Sequence, residues 1–220
     1  MSSKTTTKFL WAAVLWLVFI LFTLSLLCVD VQPAGPLSSE IGWAAFNTTV
    51  NDFVARLGQQ DLWDKITDME VLVSFGIAAL FAVTGLVQLI RGRSLKKVSP
   101  AILLLGIFYI LMAVFYVFFE KVVINYRPVL VDGVLEASYP SSHTFVALFI
   151  FFSGIPAVRS LTDKKWVAVV VQILLLLLAV VMIIGRLLSG MHWATDIVGA
   201  VLLAASAEAL YSAFLYWWIK

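Results

Sequence analysis

Residues 166–196 read WVAVVVQILLLLLAVVMIIGRLLSGMHWATD. From Trp166 to Ile184 the stretch holds no charged side chain, and only Gln172 is polar. A helix of that length rises by about 1.5 Å per residue and spans a ~30 Å hydrocarbon core. A lipid-exposed segment must satisfy its own backbone, and no strand-length alternation is present, so a membrane helix is expected and a barrel is not. Directly behind it come Arg186, His192 and Asp196. Such groups are costly at a membrane unless they do chemistry.

Five further apolar segments can be laid out on either side: Phe9–Cys28, Val71–Ile90, Ala101–Phe119, Ser142–Val158 and Ala194–Ile219. The Ser142–Val158 segment is short and interrupted by Gly154 and Pro156. Over all 220 residues the chain is 62% hydrophobic and 13% charged, whereas a soluble domain is about a quarter charged. That excludes a soluble protein. A net charge of +2 gives no reason to expect nucleic acid as a partner. The single cysteine, Cys28, allows no disulfide within the chain. The first apolar run follows Lys4 and Lys8, as a signal peptide would. No small-x-small cleavage site closes it, so it reads as a retained span. The expected fold is all-α: one polytopic membrane helix bundle over residues 1–220, with six transmembrane helices and an outer interfacial amphipathic helix.

Charge sets the orientation. Lys4, Lys8, Arg91, Arg93, Lys96, Lys97, Arg159, Lys164, Lys165 and Lys220 fall on one side of the six spans. Only Arg56, Lys65, Lys121, Arg127 and Arg186 fall on the other. Both termini are therefore expected in the cytoplasm. The loop 29–70 lies on the outer side. In it Trp43, Phe46, Val50, Phe53, Val54 and Leu57 recur at helical spacing among acidic residues. This reads as an amphipathic helix at the outer interface, a packing cap over the bundle, or both. Asn47-Thr48-Thr49 matches a glycosylation sequon, a three-residue match that is common by chance.

Three polar clusters share the outer side. In the first, Ser189-Gly190 breaks the chain between two spans, so Arg186 ends one helix and His192 begins the next. His192 and Asp196 are four apart and share a helix face. The aspartate can fix the imidazole tautomer and leave the other nitrogen free to attack. The same pair would also serve simply to tie two helices together. In the second, Tyr139-Pro140-Ser141-Ser142-His143 carries a helix-start signal. Its free backbone N–H groups and serine hydroxyls would cradle a phosphate, with His143 placed to donate a proton. An N-cap serine beside an interfacial histidine is the plainer reading. In the third, Lys121 and Arg127-Pro128 supply cations for phosphoryl oxygens, or are ordinary snorkelling residues. Together the clusters hold both histidines of the chain and bring a nucleophile, an acid and three cations to one side.

This set resembles the three-part signature of the type-2 phosphatidic acid phosphatase superfamily, over roughly residues 121–196. That signature is a Lys, six residues, Arg-Pro; then Pro-Ser-Gly-His; then Ser-Arg, five residues, His, three residues, Asp. The resemblance implies that His192 is the nucleophile forming a phosphohistidine, Asp196 orients it, and His143 is the general acid. It implies that Lys121, Arg127, Ser141, Ser142 and Arg186 hold the phosphoryl oxygens, and that neither metal nor other cofactor is needed. Three positions depart from the pattern. Lys121 stands one residue nearer Arg127, Ser142 replaces a glycine, and Gly185 replaces a serine.

A site in the outer headgroup region favours a lipid phosphate that enters sideways with its tails in the bilayer. The compact chain is similar to bacterial members, and on that ground undecaprenyl diphosphate is the expected substrate. Phosphatidic acid and phosphatidylglycerol phosphate are the alternatives. A lipid phosphotransferase with the same chemistry stays open. A non-enzymatic lipid transporter fits less well, because its polar or broken positions would lie at mid-span.

Overall fold

A computed structural model describes residues 3–219. Met1, Ser2 and Lys220 lie outside the described residues, so the cytoplasmic reading of Lys220 stays with the sequence. Seven α-helices follow one another: α1 (Ser3–Leu26), α2 (Ala44–Leu57), α3 (Gln60–Gly92), α4 (Pro100–Lys121), α5 (Ser142–Leu161), α6 (Lys165–Leu188) and α7 (Ala194–Ile219). All but α2 are long and apolar enough to cross a membrane. The described residues hold no strand, only isolated β-bridges. The six expected spans fall on these six helices, most ends moving by a few residues, while α3 begins at Gln60 rather than Val71.

The segment interrupted by Gly154 and Pro156 is the centre of the bundle. α5 packs against α3, α4, α6 and α7, and Ala147, Leu148, Phe149, Ile150 and Phe151 are fully buried. The two least apolar of the six spans, α5 and α7, are also the most buried. The reason is physical: a helix that touches mostly other helices does not need the Leu-rich surface that lipid demands. Small residues allow the close approach. The Cβ of an alanine at Gly154 would meet the Leu175 side chain on α6, and one at Gly199 would overlap the Tyr139 ring. α6, by contrast, exposes Ile173, Leu174, Leu177 and Val180. α1 lies along α7 and buries Ala12, Phe19 and Leu26.

The loop expected to hold one interfacial helix holds two elements. α2 is the short helix, and α3 begins at Gln60, well before the apolar run at Val71. α2 contacts α7 and α3 and buries Ala44, Asn47 and Val54. Phe46, Phe53 and Leu57 stay exposed, so the helix has both a packing face and an outward apolar face. Asn47 is fully buried. Its amide donates to the Gly42 carbonyl and to Thr195 Oγ1, both at 2.9 Å, and accepts from the Thr195 N–H at 3.2 Å. It is a pin between α2 and the start of α7, not a surface glycan acceptor.

Between α4 and α5 the chain makes a small hairpin. Asp132 and Gly133 both have positive φ, 49° and 78°, and the N–H groups of Val131 and Val134 each donate to the other residue's carbonyl. Two φ > 0 residues in the turn are what a two-residue hairpin of the twisted kind requires. The pairing then runs back through Arg127 N–H to the Glu136 carbonyl (3.0 Å) and Ser138 N–H to the Asn125 carbonyl (2.9 Å).

Candidate active site

One end of the bundle collects the N-terminus of α5, the C-terminus of α6, the N-terminus of α7, the first turns of α3 and the base of the hairpin. The α6–α7 connection turns at Gly190, whose φ of 66° suits a residue without Cβ. The Ser189 hydroxyl bonds back to the Arg186 carbonyl (2.9 Å), closing the α6 terminus. That turn delivers His192 into the interior, 3% exposed, one residue before Trp193 and the start of α7.

His192 Nδ1 lies 3.1 Å from the Ser138 carbonyl oxygen and 2.9 Å from Ser138 Oγ. A carbonyl only accepts, so Nδ1 carries the proton and Nε2 keeps its lone pair. Nε2 is buried and has no hydrogen-bond partner among the described residues. His192 also lines a small cavity with Ser138, Tyr139, Pro140, Ser142, Glu120 and the α4 aromatics Phe115 and Phe119. Burial holds the imidazolium well below its ordinary 6.5, and the charges of Arg127, Arg186 and His143 push the same way; the Ser138 carbonyl opposes them. The ring is therefore a neutral base whose unpartnered nitrogen lies in the field of Arg127 and Arg186.

Asp196 does not touch the ring directly. Its Oδ2 is 3.9 Å from Nδ1, beyond hydrogen-bond range. Ser138 bridges the gap: its hydroxyl donates to Asp196 Oδ2 and sits against Nδ1. The carboxylate also accepts from Trp193 N–H (2.9 Å) and Asn125 Nδ2 (3.3 Å). Asp196 is fully buried and has three donors, and it caps α7 from within the helix's first turn. Asn125 and Ser138 face each other across the hairpin, so the hairpin builds the support for this pair. Sequence reasoning missed both residues. Asp132-Gly133, flanked by apolar residues on each side, was the available signal.

The phosphate-binding candidates divide. Arg186 is 2% exposed. Its Nη1 donates to Asp64 Oδ1 at 2.6 Å, Thr67 Oγ1 at 3.1 Å and Asp68 Oδ1 at 3.3 Å, all on α3. Its Nε has no partner. Arg127 is mostly buried, with Nε 3.3 Å from Glu136 Oε2. His143 opens α5, with Nε2 3.6 Å from Asp68 Oδ1 and Nδ1 unpartnered. Ser141 is fully buried; its hydroxyl bonds Thr144 Oγ1 (2.9 Å) and its N–H donates to the Asp196 carbonyl (3.2 Å). Ser142 lines the same small cavity as His192. Lys121 stands apart. It ends α4, exposed, and no hydrogen bond or ion pair joins it to the cluster among the described residues. The structure thus brings together His192, Asp196, His143, Arg127, Arg186, Ser141 and Ser142, and leaves Lys121 outside.

A second, apolar groove of about 330 Å³ reaches the same place from the side. Val71 and Phe75 of α3, Met112 and Tyr116 of α4, and Val146 of α5 line it, with Ser142 and His143 at its head. The groove runs between helices into the membrane region rather than up to the hairpin.

The comparisons with known proteins agree with this geometry. No curated protein sequence matches the chain. The fold is similar to the crystal structure of a transmembrane PAP2-type phosphatidylglycerolphosphate phosphatase from Bacillus subtilis. The TM-score is 0.66 at 18% identity, over 95% of this chain and 97% of that one. Residues 120–220, a stretch that holds both histidines and Asp196, match the model of the PAP2 superfamily.

Proposed function

We propose that this membrane protein is a lipid phosphate phosphatase working through a phosphohistidine on His192. The observation that carries the reading is Nε2 of His192: buried, unpartnered, neutral, and in the field of Arg127, Arg186 and His143. In the first step Nε2 bonds to phosphorus while the bond to the leaving oxygen breaks. That oxygen takes a proton from His143. Water then attacks phosphorus and gives a proton to His143, while the P–N bond breaks and its electron pair returns to His192 Nε2. The Arg127 and Arg186 guanidiniums, the Ser141 and Ser142 region and the α5 N-terminus stabilise the charge on the transferring group. Ser138 and Asp196 hold the His192 tautomer and balance the cation formed when nitrogen bonds phosphorus.

The side groove supports a lipid substrate. Its walls are apolar and its head is polar, which suits a phosphate whose tails stay in the bilayer. The best reading is undecaprenyl diphosphate, with phosphatidic acid as an alternative. Phosphatidylglycerol phosphate is the second reading that a specific observation favours, through the fold shared with the Bacillus subtilis enzyme. The site lies at the end of the bundle away from the basic Lys8, Arg91, Lys97 and Arg159 region, which favours an extracytoplasmic site and cytoplasmic termini. The protein acts as one membrane domain.

The test is phosphate release by detergent-purified protein across lipid mono- and diphosphates without added metal, beside His192→Ala. Vanadate-sensitive release that disappears in the variant is expected. Activity that survives the substitution, or that needs a divalent ion, overturns the mechanism. Orientation is read by an impermeant thiol reagent on intact cells carrying Val131→Cys in a Cys28→Ser background; labelling from outside is expected.

A further inference from the structure

The α3 carboxylates need an explanation, because negative charge beside a phosphate site opposes substrate binding. Asp64 and Asp68 sit one helical turn apart on the part of α3 that precedes its apolar run. All three hydrogen bonds of Arg186 run through Nη1, to Asp64, Thr67 and Asp68. This grips the guanidinium from one side and leaves its Nε without a protein partner. The Nε–Nη2 edge is the one that can meet two phosphoryl oxygens at once. Asp68 reaches further. The same Oδ1 that meets Arg186 is 3.6 Å from His143 Nε2, and His143 Nδ1 is buried with no partner.

We infer that Asp64 and Asp68 are positioning residues of the phosphatase reaction: Asp64 aims Arg186 at the phosphoryl group, and Asp68 aims His143 at the leaving oxygen. The inference rests on the phosphatase reading above. In this arrangement Nε2–H of His143 points at the Asp68 carboxylate and Nδ1–H is the proton delivered. When the P–O bond breaks, its electron pair goes to the leaving oxygen. The Nδ1 proton follows, and the imidazolium becomes a neutral imidazole with Nε2–H still on Asp68. Because α3 also forms a wall of the apolar groove through Val71 and Phe75, the helix that holds the lipid tail also sets these two groups.

The two roles separate by leaving group. An alkyl phosphate expels an alkoxide that needs a proton, whereas p-nitrophenyl phosphate expels a phenolate that does not. Purified full-length protein is assayed on both. Asp68→Asn is expected to lower kcat on the alkyl phosphate about 10–100-fold, the usual cost of losing such a supporting partner, with KM little changed. On p-nitrophenyl phosphate its effect is expected to stay within about threefold, since the proton from the acid is dispensable there. Asp68→Glu restores most of the loss. Asp64→Asn raises KM on both substrates alike. An equal loss on both substrates for Asp68→Asn, or no loss on either, overturns the inference while phosphatase activity itself stands. A wild-type protein that releases phosphate from neither substrate, or a His192→Ala variant that keeps activity, removes the phosphatase reading and the inference with it.

Discussion

Replacing Ser138 by alanine tests how charge reaches the reactive histidine. Among the described residues the hydroxyl is the only group joining Asp196 to the ring, since the carboxylate itself stops 3.9 Å from Nδ1. The substitution removes that bridge but keeps the Ser138 carbonyl, which still accepts from Nδ1–H at 3.1 Å. The tautomer therefore survives and only the coupling weakens. A hydrogen bond to a charged group contributes about 1.5–3 kcal/mol, and each 1.4 kcal/mol is about tenfold in rate. Ser138→Ala should lower kcat roughly 10–100-fold. Asp196→Asn removes the charge itself. Two unit charges about 4 Å apart interact by about 4 kcal/mol at an effective dielectric near 20, so this loss should be about a thousandfold. His192→Ala should leave nothing above background. The assay is initial-rate phosphate release at saturating lipid phosphate, with circular dichroism and gel filtration in detergent confirming the fold. The order His192→Ala, Asp196→Asn, Ser138→Ala, from worst to mildest, is the expected result. Wild-type turnover by Ser138→Ala beside a dead Asp196→Asn would refute the bridging argument.

Arg186→Ala should cost at least about a hundredfold in kcat/KM, as loss of a buried charged contact to the transition state does. Lys121 is exposed and apart from the cluster, so Lys121→Ala should change kcat/KM by less than about twofold; phosphate-release kinetics on the two variants decide the matter. Asn47→Ala leaves Thr195 N–H and the Gly42 carbonyl without their partner inside the fold. It should cost about 2–4 kcal/mol and lower the midpoint of thermal unfolding, with proteolysis first appearing near α2. The pH response follows from His192. Its pKa is lowered on folding, so the unfolded chain binds the proton more readily. Stability is then lost as pH falls through the unfolded value near 6.5. Thermal midpoints measured from pH 7.5 to pH 5.5 should fall in the wild type and fall less in His192→Gln.

The six spans were legible because lipid imposes one rule on length and composition. What that rule hides is which spans avoid lipid. α5 looked weak because its polar start, Gly154 and Pro156 dilute the apolar run, and it is the most buried of the six spans. The start of α3 was hidden for the opposite reason. Asp61, Asp64, Lys65 and Asp68 make its first turns read as loop, yet Arg186 on α6 gives Asp64 and Asp68 a charged partner inside the fold. Hydropathy places a helix end where the lipid ends, but this helix continues as long as a neighbouring helix satisfies its polar side chains.

At the site, the reactive groups were legible and their supports were not. His192 and Asp196 announce themselves through i, i+4 spacing, but spacing on one element cannot show that the chain bends at Gly190 and turns the imidazole away from the carboxylate. The serine that fills the gap lies 54 residues away in sequence and comes to the site only through the Asp132-Gly133 hairpin. The same holds for the cations. Arg127 and Arg186 stand out as charges in an apolar chain, but their acidic partners, Glu136 and the α3 pair, come from separate segments. A cation that waits in a membrane protein for an anionic substrate needs a counter-charge while the site is empty. Arg186 and His143 therefore share carboxylates from another helix, and those carboxylates can only be assigned once the helices are packed.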